Sequence, residues 1–257
     1  MNTRRILHVI PSVNPVYGGT VEALMQLVQA SLTSEQQHEI LTLDDASLLA
    51  SYGHDVAIHA VGPTRSFYGY CPALNHWLRQ HLSDYDCAVI HGCWQYHGLA
   101  TFRECRRQGV PYVQYPHGML DPWFKRQYPI KHLKKWLYWP WAEYRILKHA
   151  ARVVFTCEQE RLQSATSFWL YRVNPAVIPL GIREPAFSAA QCTQAFVEHY
   201  PRLEGKRRVT FLSRIHEKKG VDLLVEAALQ VQRETIEQGW SSSNPEDFLT
   251  LVIAGPC

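Results

Sequence analysis

"ILHVIPSVNPVYGGTVEAL", residues 6–24, is an apolar run, a turn-rich loop with two adjacent glycines, and then a helical pattern. Strand, glycine loop and helix in that order open an α/β unit. Gly18 and Gly19 carry no side chains, so backbone amides at the helix start stay open to an anion such as a phosphate. A tight turn without a ligand explains the pair equally well. The spacing is not the GxGxxG of a dinucleotide fingerprint. Asp44 and Asp45 nevertheless close the second apolar run, where a ribose-binding acid would stand. A dinucleotide-dependent oxidoreductase therefore stays open as an alternative that the glycine spacing disfavours.

Working outward, short β-rich runs recur: "RILHVI", "HEILTL", "DVAIHAV", "CAVIHG", "PYVQYPHG", "RVVFTC" and "PAVIPLG". Helix-length segments at 20–32, 71–82 and 99–108 separate several of them. Apolar strands alternating with helices predict an α/β fold with a doubly wound, parallel, Rossmann-like sheet. This first domain runs over 1–181, and the polar stretch 182–206 reads as an irregular linker. Residues 207–257 begin a second Rossmann-like domain: strand "RRVTFLS", loop "RIHEKKG", helix "VDLLVEAALQVQRE", a polar stretch, and strand "FLTLVIAG". One βαβ unit cannot cover its own apolar faces, so Val221, Leu224, Val225 and Ala228 are expected to need a further surface.

The 257 residues are 46% hydrophobic and 19% charged, as in globular proteins, and the net charge of +3 is too mild to argue for nucleic acid. Seven cysteines without a CxxC pair favour reduced thiols and a cytoplasmic protein. No run reaches the roughly 20 apolar residues of a membrane span. "WFKRQYPIKHLKKWLYWPWAEYRILKHA", residues 123–150, interleaves aromatic and basic residues, with Pro140 interrupting its helical pattern. It suits an anionic membrane surface, or simply aromatic residues packed on the domain core.

Ligands of open α/β sheets sit beyond the carboxyl ends of the strands. His91 ends "CAVIHG" and His117 ends "PYVQYPHG", so both are candidates to face a polyhydroxyl ligand, against ordinary structural histidines. His91, Cys93 and His97 are too few for a metal site, and none is expected. Asp84 and Asp86 precede their strand and read as solvated turn residues. Arg214 follows a strand directly, and Lys219 and Gly220 stand at the next helix start. That placement suits a diphosphate, where a solvated basic loop is the plainer alternative.

With these residues in hand, the chain resembles the retaining glycosyltransferases of family 4, whose GT-B fold faces two Rossmann-like domains. The family's Gly-Gly loop matches Gly18 and Gly19, and "PHGMLDPW" resembles its histidine-bearing segment at His117. "FTCEQE" resembles its S/T-x-x-E segment, with Cys157 in place of Ser. "VIPLGI" resembles its "VIPNGV", and "SRIHEKKGVDLLVEA" its phosphate-binding segment, with Arg214 and Lys219 in register. The resemblance implies retaining transfer of a sugar from a nucleotide-diphosphate sugar, without metal or other cofactor. The implied acceptor is lipid-linked or an oligosaccharide of cell-surface polysaccharide synthesis, at the inner face of the cytoplasmic membrane. Gly18, Gly19, Arg214 and Lys219 would bind the donor phosphates and His117 would be catalytic; His91, from its strand-end place, is the candidate to touch acceptor or sugar. The family's second domain continues with paired glutamates that the 257 residues do not include. The expectation is an incomplete donor domain, inactive alone, or alternatively a non-catalytic remnant with an acceptor- or membrane-binding domain.

Overall fold

The structure, a computed structural model, describes residues 3–31, 35–49, 56–64, 66–181, 184, 187–237 and 250–255. It divides into two compact units, Met1–Arg183 and Glu184–Cys257.

In the first unit seven parallel strands form one sheet: β1 (Arg4–Ile10), β2 (Gln36–Thr42), β3 (Ala57–Ala60), β4 (Cys87–His91), β5 (Tyr112–Tyr115), β6 (Arg152–Phe155) and β7 (Pro175–Val177). Their order is β3-β2-β1-β4-β5-β6-β7. The chain steps outward from β1 to β3, returns to the far side of β1 as β4, and continues to β7. The reversal leaves a crevice at the carboxyl ends of β1 and β4, where sheets of this kind hold ligands.

Period-two alternation sorts the side chains. Leu7, Val9, Leu41, Ala88 and Ile90 enter the large core, which α3 (Pro72–His81), α4 (Tyr96–Gln108) and α7 (Glu143–His149) supply from the helical side. Ile10 and Ile40 point the other way and meet Val21, Leu24 and Val28 of α1 (Gly19–Ser31). Short α2 (Ala46–Leu49) follows β2. At the amino edge Glu39 accepts hydrogen bonds from Arg5 (2.7 Å), His59 (2.7 Å) and Tyr85 (2.8 Å). Burial opposes its charge, but these donors prevail and hold the carboxyl down at about 2. Asp86 accepts the Arg5 amide at 2.8 Å and is exposed, as is Asp84, at the edge opposite the crevice.

Residues 123–149 form three helices, because Pro129 starts one and Pro140 falls beyond its end: α5 (Trp123–Gln127), α6 (Pro129–Tyr138) and α7. Trp139 just past α6 is fully buried, stacks on Phe168 at 4.0 Å between ring centroids, and donates Nε1–H to the Leu170 carbonyl at 2.7 Å. α8 (Glu158–Ser164) completes the unit.

The second unit contains α9 (Ala189–His199), β8 (Arg208–Leu212), α10 (Val221–Glu237) and β9 (Thr250–Ala254), with β8 and β9 parallel. Helix α9 lies within the stretch read as an irregular linker. Ser188 and Gln191 cap its start reciprocally, a signal that the polar composition masks. Residues 182, 183, 185 and 186 of that stretch lie outside the described residues. So do 238–249 of the second domain's polar stretch and strand start. No described residue of this unit is buried. Val221, Leu224, Val225 and Ala228 are half-buried, and Leu223 and Leu229 are exposed.

Candidate functional site

A cavity of about 650 Å³ opens at the carboxyl edge of the first sheet, with Ser12, Asp44, Thr64, His91, Trp94 and Lys135 among its walls. Each wall follows from a strand ending there: Ser12 after β1, Asp44 after β2, Thr64 after β3, His91 as the last residue of β4. Asp44, read as a candidate ribose acid, already holds three donors of the fold. It accepts from Ser12 Oγ (2.6 Å), the Val13 amide (2.7 Å) and Thr42 Oγ1 (2.8 Å), so it braces the β1 and β2 ends together.

The expected glycine loop borders this cavity through Tyr17 and Thr20. Gly18 has φ 69°, a left-handed conformation that favours glycine, and its own amide is committed to the Pro15 carbonyl at 2.9 Å. The Gly19 and Thr20 amides, at the first turn of α1, make no hydrogen bond among the described residues. Open amides therefore follow Gly18 rather than include it.

His91 and His117 come together. His91 Nδ1 lies 3.0 Å from His117 Nε2, and both rings stack against Tyr115. Two histidines that the sequence reading passes over extend the contact. His91 Nε2 lies 3.0 Å from His8 Nδ1, and His8 Nε2 lies 2.9 Å from His38 Nδ1. His8 is a polar interruption between Leu7 and Val9, and that is the signal it carries; His38 stands among Gln36, Gln37 and Glu39 and carries none. Burial is the first cause in lowering all four: His8 falls to about 3, His117 to about 4, and His91 and His38 also fall. For His117, the nearby Glu160 opposes part of the effect.

His117 has φ 51° and Gly118 φ 74°, so the turn after β5 is held in the left-handed region. Glu160, in the segment read as S/T-x-x-E, holds it. Its Oε1 accepts the Gly118 amide at 2.7 Å, and its Oε2 accepts the Thr156 amide and hydroxyl, both at 2.7 Å. Cys157 caps α8, its Sγ accepting the Glu160 amide at 3.4 Å.

A third group stands at the cavity wall. The Lys135 ammonium lies 4.6 Å over the Trp94 ring and 5.2 Å over Phe124, and burial lowers its pKa against the pull of Cys93 and Glu143. Glu143, fully buried, accepts the Trp94 amide at 2.6 Å and has the Cys93 thiol beside it, while its Oε2 makes no hydrogen bond of ordinary geometry among the described residues. Burial raises its carboxyl to about 7 despite that amide, Cys93 and Lys135. His97 points Nε2 at the His91 carbonyl, 2.8 Å away. Among the described residues no three His, Cys, Asp or Glu side chains gather as metal ligands.

Arg214 and Lys219 belong to the second unit, in the connection from β8 to α10. Both are exposed, and the Lys219 amide closes a turn on the His216 carbonyl at 2.8 Å. Gly220 adopts φ 67° at the end of that turn.

The family model described as a glycosyl transferase 4-like domain matches residues 18–181. Among solved structures the chain is similar to Anabaena Alr3699/HepE, crystallised with UDP-glucose: TM-score 0.65, 13% identity, 97% of this chain and 60% of that one. It is also similar to a glycosyltransferase from Rickettsia africae ESF-5, with TM-score 0.55, 14% identity and 91% against 59% coverage. The N-terminal domain of Candida albicans trehalose-6-phosphate phosphatase gives TM-score 0.58, 15% identity and 98% against 64% coverage. At such identities the likeness is one of fold. The chain spans about 60% of the length of these structures. No curated protein matches it. No described helix is long and apolar enough to cross a membrane.

Proposed function

The chain belongs to the glycosyl transferase 4-like family, and from that premise we propose that it serves retaining transfer of a sugar from a nucleoside-diphosphate sugar to a lipid-linked or oligosaccharide acceptor. The observation that carries the reading is the cavity at the β1–β4 crevice, with His91 in its wall and His117 bonded to His91. Kinship of fold with the UDP-glucose-bound Anabaena protein supports the donor class.

In this reading the bond from the sugar's anomeric carbon to the diphosphate breaks, and its electron pair leaves with the nucleoside diphosphate. The acceptor oxygen bonds the anomeric carbon on the same face, and its proton passes to the departing phosphate. Arg214 and Lys219 meet the developing charge on the diphosphate, and the open amides of Gly19 and Thr20 are the first unit's own anion-binding groups. Gly18 shapes the turn that frees those amides, and His117 hydrogen-bonds the sugar.

The acceptor side carries a second feature. No residue of α6 is buried; Ile130 is 77% and Leu137 64% exposed, beside exposed Lys131 and Lys134. We propose that this face rests on anionic lipid at the cytoplasmic side of a membrane, where a lipid-linked acceptor is presented.

Calorimetric titration of UDP into the whole protein tests the donor assignment. Arg214→Ala and Lys219→Ala should each weaken binding about ten- to over a hundredfold, as for loss of a charge-assisted bond. His117→Ala should lower turnover more than UDP affinity. Unchanged affinity in both cation variants overturns the diphosphate site.

A further inference from the structure

The file His38–His8–His91–His117 crosses three adjacent strands and ends beside the cavity. Each of its three contacts joins two ring nitrogens, so each needs one proton. Burial keeps all four rings neutral near pH 7, and a neutral imidazole carries one proton. His8 and His91 use both nitrogens within the file. Each must therefore donate on one side and accept on the other.

This counting leaves two arrangements. In one, every ring is protonated on Nδ1: His38 donates to His8, His8 to His91, His91 to His117, and His117 presents Nδ1–H. In the other, every ring is protonated on Nε2, the donation runs back toward His38, and His117 presents a lone pair at Nδ1. A split within the file would leave one contact with two protons or none, in an interior where an unpaired polar group is costly. Nδ1 of His117 makes no hydrogen bond among the described residues, so it is the atom left for a ligand.

We propose that His38, His8 and His91 are positioning residues that set the tautomer of His117, and with it whether His117 meets a ligand as donor or acceptor. The outer end of the file is where the choice is made: beyond His8 the His38 ring meets only the Ser31 backbone, and its Nε2 makes no hydrogen bond of ordinary geometry among the described residues. A side chain at position 38 that can only accept forces Nε2–H along the file. One that can only donate forces Nδ1–H. The proposal rests on the glycosyltransferase reading only in calling His117 ligand-facing; the tautomer coupling stands or falls without any sugar transfer.

Two-bond 15N–1H correlation spectra of histidine-labelled protein, recorded at about pH 8 so that the rings stay neutral, read the tautomer of each ring. In the wild type His8, His38, His91 and His117 should share one tautomer. His38→Glu should give Nε2–H at His117, and His38→Lys should give Nδ1–H at the same ring. Mixed tautomers within the wild-type file overturn the proposal, and so does a His117 tautomer that is the same in both folded variants. If neither variant folds, the wild-type spectrum alone decides, by one shared tautomer or a split.

Discussion

Glu160 accepts the Gly118 amide at 2.7 Å, so a carboxylate carried on α8 fixes the turn that aims His117. The same carboxylate takes the amide and hydroxyl of Thr156 at the end of β6. Three donors on one acid make the ends of β5 and β6 a single object. Glu160→Ala should cost roughly 1.5–3 kcal/mol, the usual range for hydrogen bonds to a charged group. Urea denaturation measures the loss. A variant as stable as the wild type would mean that the turn holds itself.

Cys157 is a poor cap in a good position. Its Sγ lies 3.4 Å from the Glu160 amide where a hydroxyl oxygen would bond more strongly. Cys157→Ser should stabilise the first unit by about 0.5–1 kcal/mol, a typical capping gain. The residue is exposed, so no packing is lost. A lower denaturation midpoint in the serine variant contradicts the assignment.

Glu143 gives a pH signature of opposite sign to most carboxylates. Its ordinary value is 4.5 and the fold raises it to about 7. Between those values the folded chain binds a proton that the unfolded chain has released, so this group's contribution falls as pH rises through the window. Glu143→Gln cannot ionise and still accepts the Trp94 amide. Its stability relative to the wild type should therefore climb from pH 4.5 to about 7 and then level off. Denaturation curves across that range test it; a constant difference would show that the carboxyl titrates normally.

The exposed face of α6 predicts lipid dependence. Co-sedimentation with vesicles containing phosphatidylglycerol should exceed that with pure phosphatidylcholine, and added salt should weaken it. Lys131→Glu with Lys134→Glu should abolish the preference while leaving stability within about 0.5 kcal/mol, as for surface changes. Equal binding to both vesicle types would remove the membrane from the functional reading.

The seven strands of the first unit were legible because parallel strands of such a sheet read as short β-rich runs, and each quoted run overlaps one. Gly18, His91 and His117 stood out because strand ends and left-handed turns leave marks in local sequence. The histidine file did not, since it depends on register: His8 pairs with Ile40 and Val89, and only the pleat brings its ring between His38 and His91. Lys135 and Glu143 meet around Trp94 across two helices, which no local pattern encodes. Asp44 looked like a ligand acid because its partners Ser12 and Val13 lie on another strand's loop. Helix α9 was missed for the opposite reason: its capping box was there to be read, and polar composition outweighed it.

The burial of Trp139 against Phe168 makes this protein its own optical instrument. An indole shut away from water emits at shorter wavelength than one bathed in it, and Trp139 is the fully buried tryptophan among the described residues. Trp136, Trp141 and Trp169 are exposed; Trp136 is carried on α6, and its ring neighbours that of Trp169. The blue edge of the emission should therefore follow the integrity of the first unit, while the red edge follows what touches the proposed lipid face. Quenching by iodide would dim the red population and spare the blue. Unfolding and docking can then be recorded separately in one cuvette, without attaching a dye.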